Sequence, residues 1–236
     1  MTVVKICGLT SFDQACWALE AGADLLGFVL APGRRQLTVE AAAEIVGRCR
    51  EGFPRRELPW QAVGVFANQP LELVRRTAAE AGLDLLQLSG QEPPEYCRAL
   101  DLPVFKALHL PLVDRASDAR LSAPFGQPGP VPLSAAHLEE ARQVYGAFRI
   151  LLDSGTPGRW GGTGLAVAWE TVGGAARDCL VAGGLDPENV ATAITMMQPW
   201  GVDVSSGVER NGKKDRGLIQ RFIRQAKGSN HHDDLG

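Results

Sequence analysis

The chain of 236 residues carries a formal net charge of −3 and 45% hydrophobic residues, with a pI of about 5.8. This mildly acidic composition excludes the basic surface that nucleic-acid binding requires, and it supplies enough apolar side chains for one large core. No apolar run approaches the ~18 residues of a membrane helix, and Met1 leads directly into a strand-like VVKIC without the apolar segment of a signal peptide. We therefore expect a cytoplasmic protein that binds neither nucleic acid nor membrane.

Eight short apolar runs alternate with amphipathic stretches of helical spacing along the chain. The predicted strands span residues 3–7, 25–30, 61–66, 84–88, 104–108, 148–153, 179–182 and 201–204. Serine, threonine, proline or aspartate residues mark most of the predicted helix starts, which are Ser11, Thr38, Pro70, Pro93, Ser134, Leu165, Pro187 and Asp215. Strand followed by helix, eight times, with nearly continuous apolar strands, predicts a parallel sheet covered by helices. Closure into a single (β/α)8 TIM barrel is the simplest α/β architecture with that count.

We assign residues 1–227 to this one barrel domain. A segment with five prolines, residues 111–132, is predicted to be an elongated loop between strand five and helix five. We interpret it as a surface insertion, with a lid over the site as the alternative. Residues 228–236 lack apolar anchors and are predicted to be a disordered tail. Either a monomer or a homodimer is compatible with the sequence.

The five cysteines are odd in number and show no C-x-x-C spacing, which argues against a disulfide framework and against a structural zinc site. We expect reduced thiols and no metal site.

Two loops of small residues follow the last two predicted strands, Gly183-Gly184 in one case and Ser205-Ser206-Gly207 in the other. Glycines let a backbone approach a ligand closely, and serines add hydroxyl donors. In (β/α)8 barrels the loops after strands seven and eight often build a phosphate site. The pair of loops therefore predicts a phosphorylated small-molecule substrate, with a pair of ordinary glycine-rich turns as the alternative.

Catalytic groups in a barrel lie at the carboxyl ends of strands, and two titratable residues end predicted strands there. Cys7 ends strand one, and the alternation of side chains places Lys5 on the same, inner side, where an ammonium favours the thiolate of a base or nucleophile. A small buried residue is the alternative for Cys7. Asp153 ends strand six and is a candidate acid, base or helix cap, and Arg159 in the following glycine-rich loop is able to keep it ionised. Arg35 lies after strand two and Asp203 lies on strand eight.

Six blocks in order resemble phosphoribosylanthranilate isomerase: KICGL, GFV-x-AP, GVF-x-N, LLDS-x-x-PG-x-x-GGTG, AGGL-x-PENV and VDVSSGVE, which begin at residues 5, 27, 64, 151, 182 and 202. The resemblance implies a (β/α)8 barrel of tryptophan biosynthesis. Such an enzyme converts N-(5-phosphoribosyl)anthranilate to 1-(2-carboxyphenylamino)-1-deoxyribulose 5-phosphate by an Amadori rearrangement without a cofactor.

The resemblance also implies roles for individual residues. Cys7 matches the general base and Asp153 the general acid of the family. Arg35 matches the arginine that holds the anthranilate carboxylate, and Asp203 a residue near the anthranilate ring. The residues that match the phosphate cup are Gly162, Gly183, Gly184, Ser205, Ser206 and Gly207.

Three departures from the family pattern are visible. The loop after strand two offers Arg34 as a rival to Arg35. Ser89 stands where the family often has histidine, so any role of that histidine is lost or moved, and residues 111–132 have no obvious family counterpart. Two alternatives stay open: a related barrel that isomerises an aminoimidazole ribonucleotide in the histidine pathway, and a barrel that binds a phosphosugar without turning it over.

Overall fold

The computed structural model describes residues 1–54, 59–109, 134–153 and 172–228. Eight parallel strands close into a barrel in sequence order, β1 pairing with both β2 and β8. Their bounds are β1 Val3–Cys7, β2 Leu25–Val29, β3 Gln61–Phe66, β4 Leu85–Leu88, β5 Val104–His109, β6 Arg149–Asp153, β7 Leu180–Ala182 and β8 Gly201–Val204. The predicted barrel is confirmed.

Helices lie between the strands. Those of the described residues are α1 Phe12–Glu20, α2 Val39–Gly52, α3 Leu71–Glu80, α4 Pro94–Arg98, α5 Ala135–Tyr145, α6 Val190–Met197 and α7 Arg216–Lys227. Short 3₁₀ helices span Gly173–Asp178 and Ser206–Val208, and a small hairpin joins β9 Glu209–Arg210 to β10 Lys213–Lys214. Within the described residues, no helix combines the length and apolar character needed to cross a bilayer.

Two hydrophobic cores follow from the alternation of side chains along the strands. The larger core lies between the sheet and its helices and includes Val4, Ile6 and Phe222. The smaller core fills the barrel and consists of Leu25, Val63, Leu85, Phe105, Ala107, Leu151, Leu180 and Ala182, with Val3 and Trp200 packed against it. Because side chains two residues apart point to the same face, Cys7 shares the inner face with Val3, and Asp153 shares it with Leu151.

The predicted strand bounds are confirmed to within one residue, since parallel barrel strands are buried on both faces and read as continuous apolar runs. Side-chain caps are present where hydroxyl or carboxylate residues predicted helix starts: Ser11, Thr38, Ser134 and Asp215 each accept a hydrogen bond from a backbone N–H in the first turn of the helix that follows.

The helix predicted to start at Pro187 was placed wrongly, because α6 begins at Val190. Asp186 accepts hydrogen bonds from the N–H groups of Glu188 and Asn189 and so holds these residues in a turn. The helix predicted from Leu165, the loop 111–132 and tail residues 229–236 lie outside the described residues.

Candidate active site

Cys7 ends β1 inside the barrel, against a glycine of β2. Gly27 is its parallel partner in the sheet, and a β-carbon placed on Gly27 would lie 2.9 Å from the Cys7 sulfur and 3.1 Å from Lys5 Nζ. The contact with the sulfur is shorter than real β-carbons make and the contact with Nζ is unusually tight, so a glycine here leaves room for the thiol and the ammonium together. Sequence reasoning missed Gly27, although the GFV-x-AP block contains it.

Lys5 and Asp203 form a buried ion pair one layer below the thiol. Lys5 Nζ donates to Asp203 Oδ1 at 2.9 Å, and the two side chains are 0% and 8% exposed. The pairing follows from register, since Lys5 lies opposite Asp203 in the β1–β8 ladder. Burial lowers the pKa of Lys5, but the charges and hydrogen bonds of Asp203 and Cys7 outweigh it and leave the pKa raised. Lys5 is therefore a fixed cation.

Lys5 favours the thiolate of Cys7, as expected, but it does not set the net direction of the pKa shift. Burial raises the pKa of Cys7, and the Asp203 carboxylate raises it further, whereas Lys5 and Lys214 lower it. The net direction is upward because burial and the Asp203 carboxylate together outweigh Lys5 and Lys214.

Asp153 ends β6 on the same inner face, beside a histidine of β5. His109 is its parallel partner in the sheet, and His109 Nδ1 lies 3.8 Å from Asp153 Oδ2. His109 Nε2 lies 3.1 Å from the carbonyl oxygen of Ser89. An imidazole thus reaches the end of β4 from the neighbouring strand, although residue 89 itself is serine. Sequence reasoning missed His109, which is the polar residue at the end of strand five.

Arg35 lies beside Cys7 and is held by a buried carboxylate. Its guanidinium donates to both oxygens of Glu209, at 2.6 and 2.9 Å. A β-carbon on Gly8 would lie 2.5 Å from Arg35 Cδ, so the side chain packs directly on the residue that follows Cys7. Arg34 also donates to Glu209, at 3.0 Å, but its side chain is 60% exposed against 24% for Arg35. Arg35 is therefore the more buried of the two arginines.

Glu209 gathers a third cation and joins the arginines to the loop after β8. Lys214 Nζ donates to Glu209 at 2.9 Å and to the carbonyl oxygen of Ser205 at 2.9 Å. Burial alone would raise the pKa of Glu209, but hydrogen bonds from Arg35 and Lys214 lower it to about 2. Burial lowers the pKa of Lys214, and Glu209 only partly offsets this. Three cations around one carboxylate leave surplus positive charge at this rim. Glu209 and Lys214 were not among the residues singled out from the sequence.

The two loops of small residues meet at the carboxyl ends of β7 and β8. Gly183 and Gly184 both have a left-handed backbone, with φ of 94° and 64°, and Asn189 Nδ2 donates to the carbonyl oxygen of Gly184 at 3.0 Å. A β-carbon on Gly207 would lie 1.9 Å from the carbonyl oxygen of Leu185, so the loops are in contact. Ser205 Oγ donates to the carbonyl oxygen of Cys7 at 3.1 Å and ties this region to the thiol.

Ser206 opens the 3₁₀ helix that follows β8. Gly162 and Arg159 lie outside the described residues.

A closed eight-stranded parallel barrel, with a thiol and a carboxyl on the inner face of the carboxyl-terminal mouth, defines the chain as a (β/α)8-barrel enzyme. A family model described as N-(5'-phosphoribosyl)anthranilate (PRA) isomerase matches residues 4–124 and 130–225. This chain belongs to that family.

Individual relatives agree with the family match. The chain is 43% identical to the N-(5'-phosphoribosyl)anthranilate isomerase of Roseiflexus castenholzii over 96% of this chain and 99% of the relative. It is similar to the phosphoribosyl anthranilate isomerase structure from Thermotoga maritima, with a TM-score of 0.74 and 35% identity over 97% of this chain and 100% of that one. A second similar structure of such an isomerase, with a TM-score of 0.69 and 34% identity over the same shares, holds reduced 1-(o-carboxyphenylamino)-1-deoxyribulose 5-phosphate.

Proposed function

We propose that this chain isomerises N-(5-phosphoribosyl)anthranilate to 1-(2-carboxyphenylamino)-1-deoxyribulose 5-phosphate in tryptophan biosynthesis. The observation that carries the proposal is the shared inner face of Cys7 and Asp153, which reach one mouth of the barrel from strands one and six. Groups on well-separated strands address different positions of one sugar. We assign this reaction to a single cytoplasmic domain of residues 1–227.

Asp153 acts as the general acid. In its protonated form it donates a proton to the ring oxygen of the ribose, and the bond between C1 and that oxygen breaks. The nitrogen lone pair forms the C=N bond, which gives an iminium cation, and Asp153 is left as a carboxylate. A positioned acid or base contributes roughly 10²- to 10⁴-fold to the rate.

Cys7 acts as the general base. Its thiolate removes the proton from C2, the electrons of the C–H bond form the C1=C2 bond, and the iminium becomes a neutral enolamine. Transfer of the hydroxyl proton from O2 and protonation of C1 then give the ketone. The iminium places a positive charge beside Cys7, and a positive charge lowers the pKa of a nearby thiol. Ring opening therefore promotes the ionisation that burial opposes.

Arg35 and Asp203 serve the anthranilate end of the substrate. A guanidinium has five donors in a planar fork suited to carboxylates. Glu209 holds the fork of Arg35 in place, while Arg34 and Lys214 supply the additional positive charge that lets this rim accept a second carboxylate. Asp203 lies on the inner face near the thiol, where it pairs with Lys5 and faces the anthranilate amine.

The phosphate is bound by the small-residue loops. The residues assigned to it are Gly162, Gly183, Gly184, Ser205, Ser206 and Gly207. Contact between the loops after β7 and β8 supports one shared site, because Gly207 packs on Leu185. Backbone N–H groups that converge in such loops are suited to a phosphate dianion.

The test is the fluorescence decay of freshly prepared phosphoribosylanthranilate in the presence of the full chain, with the aminoimidazole ribonucleotide of the histidine pathway as a competing substrate. We expect turnover of the anthranilate compound and tight binding of its reduced product. Preferential turnover of the aminoimidazole compound would assign the chain to the other pathway. Binding of the reduced product without any turnover would show that the chain is a phosphosugar-binding barrel and not an enzyme.

A further inference from the structure

His109 has geometry that the roles of Cys7 and Asp153 leave unused. Its side chain is 53% exposed, and it faces two groups, the Asp153 carboxylate of β6 and the Ser89 carbonyl of β4. A carbonyl oxygen only accepts hydrogen bonds, so the nitrogen beside it, Nε2, carries a hydrogen. In the neutral ring the nitrogen that faces Asp153, Nδ1, is then the acceptor.

The proposed reaction leaves a proton to be returned. Each turnover takes one proton from Asp153 at ring opening and delivers one to Cys7 at C2, while the final tautomerisation changes neither residue. Asp153 must regain a proton, and Cys7 must release one, before the next substrate reacts. Histidine is the side chain whose ordinary titration range suits proton exchange near neutral pH.

We propose that His109 is a relay residue that orients Asp153 and returns its proton. Solvent or buffer protonates Nδ1, and the ring passes that proton to Asp153 Oδ2 while Nε2–H stays bonded to Ser89. Cys7 releases its proton separately to solvent. His109 acts through Asp153 and not on the substrate, and its role rests on the proposed function.

The exposure of the His109 and Asp153 side chains distinguishes a relay role from a structural one. The side chains of His109 and Asp153 are 53% and 31% exposed and lie 3.8 Å apart, and a contact between such exposed groups contributes little to stability. Hydrogen bonds in empty active sites are often long and shorten only when the substrate is bound. Removal of the imidazole should therefore leave the free energy of unfolding unchanged and affect only turnover.

The test compares the full chain with His109→Ala, His109→Gln and, as a control on an exposed histidine of α5, His137→Ala. Turnover is measured at low buffer concentration and again with added imidazole. We expect His109→Ala to lower kcat by less than the ~10²-fold that marks loss of the acid itself, with KM unchanged. Imidazole should restore its rate in a saturable way. The glutamine amide can donate a hydrogen bond to the Ser89 carbonyl but does not take up and release a proton, so this variant should be as slow as the alanine variant. His137→Ala should match the wild type.

Asp153→Asn separates the relay from the reaction on which it rests. Imidazole should not rescue Asp153→Asn, because the group that receives the proton is gone. Wild-type kcat in His109→Ala, a rate that imidazole does not raise, or full activity in His109→Gln would each overturn the relay. If Asp153→Asn is inactive in those cases, the proposed function stands; if Asp153→Asn turns over normally, the proposed acid fails as well.

Discussion

Removing the ammonium of Lys5 alone should lower the free energy of unfolding more than removing both members of its ion pair. Lys5→Met keeps the length of the side chain but leaves the Asp203 carboxylate, only 8% exposed, without the cation 2.9 Å away. Breaking a buried pair on one side costs about 3–5 kcal/mol. Asp203→Leu strands the ammonium of Lys5, which is 0% exposed, and should cost a similar amount.

The double variant Lys5→Met/Asp203→Leu removes both charges. Replacement of a whole buried pair by apolar residues is often neutral or stabilising, so the coupling energy of the double-mutant cycle should reach several kcal/mol. The assay is urea unfolding, followed by tryptophan fluorescence and far-UV circular dichroism, with midpoints compared at equal m values.

The same variants report on the thiol. Lys5 lowers the pKa of Cys7 and Asp203 raises it, so Lys5→Met should shift ionisation of the thiol to higher pH. Thiolate absorbance near 240 nm, measured as a difference from Cys7→Ala, follows that ionisation. Single variants as stable as the wild type, additive losses in the double variant, or an unmoved thiol titration would each refute the reasoning.

Three further predictions concern two glycines that other atoms approach closely, Gly27 and Gly207, and the carboxylate of Glu209. Gly27→Ala should lower kcat sharply because its β-carbon would lie 2.9 Å from the Cys7 sulfur, whereas Gly33→Ala, with nothing within 4 Å, should behave as the wild type in the same assay. Gly207→Ala should weaken binding of inorganic phosphate in a titration, since its β-carbon would lie 1.9 Å from the Leu185 carbonyl oxygen and push the two loops apart; unchanged affinity would contradict that packing. The pKa of Glu209 is lowered from 4.5 to about 2, which corresponds to about 3 kcal/mol of stability. Because this pKa is lower in the folded chain, the ionised carboxylate stabilises the fold above pH 4.5, and this stabilisation is lost as the pH falls toward 2. Urea midpoints should therefore fall more steeply between these pH values in the wild type than in Glu209→Gln.

Strands and helix starts were accessible from the sequence because their causes are local. Buried parallel strands read as apolar runs, and Ser11 or Thr38 caps the helix that directly follows it. The start of α6 was not accessible from the sequence, because the Asp186 carboxylate accepts hydrogen bonds from the N–H groups that follow it and turns the chain there. The sequence pattern alone does not distinguish that turn from a first helical turn.

Candidate site residues at strand ends could also be predicted from the sequence, because the active site of such a barrel lies at the carboxyl ends of its strands. The same rule applied to strand five would have singled out His109. Glu209 was different, since its three cations come from the loop after β2 and from β10 and meet only in the folded chain.

The ionisation of Cys7 depended on tertiary register. Lys5 lowers the pKa of the thiol, but burial raises it, and β8 brings Asp203 opposite Lys5, where the carboxylate raises it further. Alternation along VDV gives the face of Asp203, and only the register of β1 against β8 gives its partner.

The division of labour between Cys7 and Asp153 is tested most directly by single-turnover decay of phosphoribosylanthranilate under excess enzyme. Cys7→Ala and Asp153→Asn should each lose roughly 10²- to 10⁴-fold in rate, while both bind the reduced product as tightly as the wild type. A Cys7→Ala variant that completes the reaction at the wild-type rate would contradict the account.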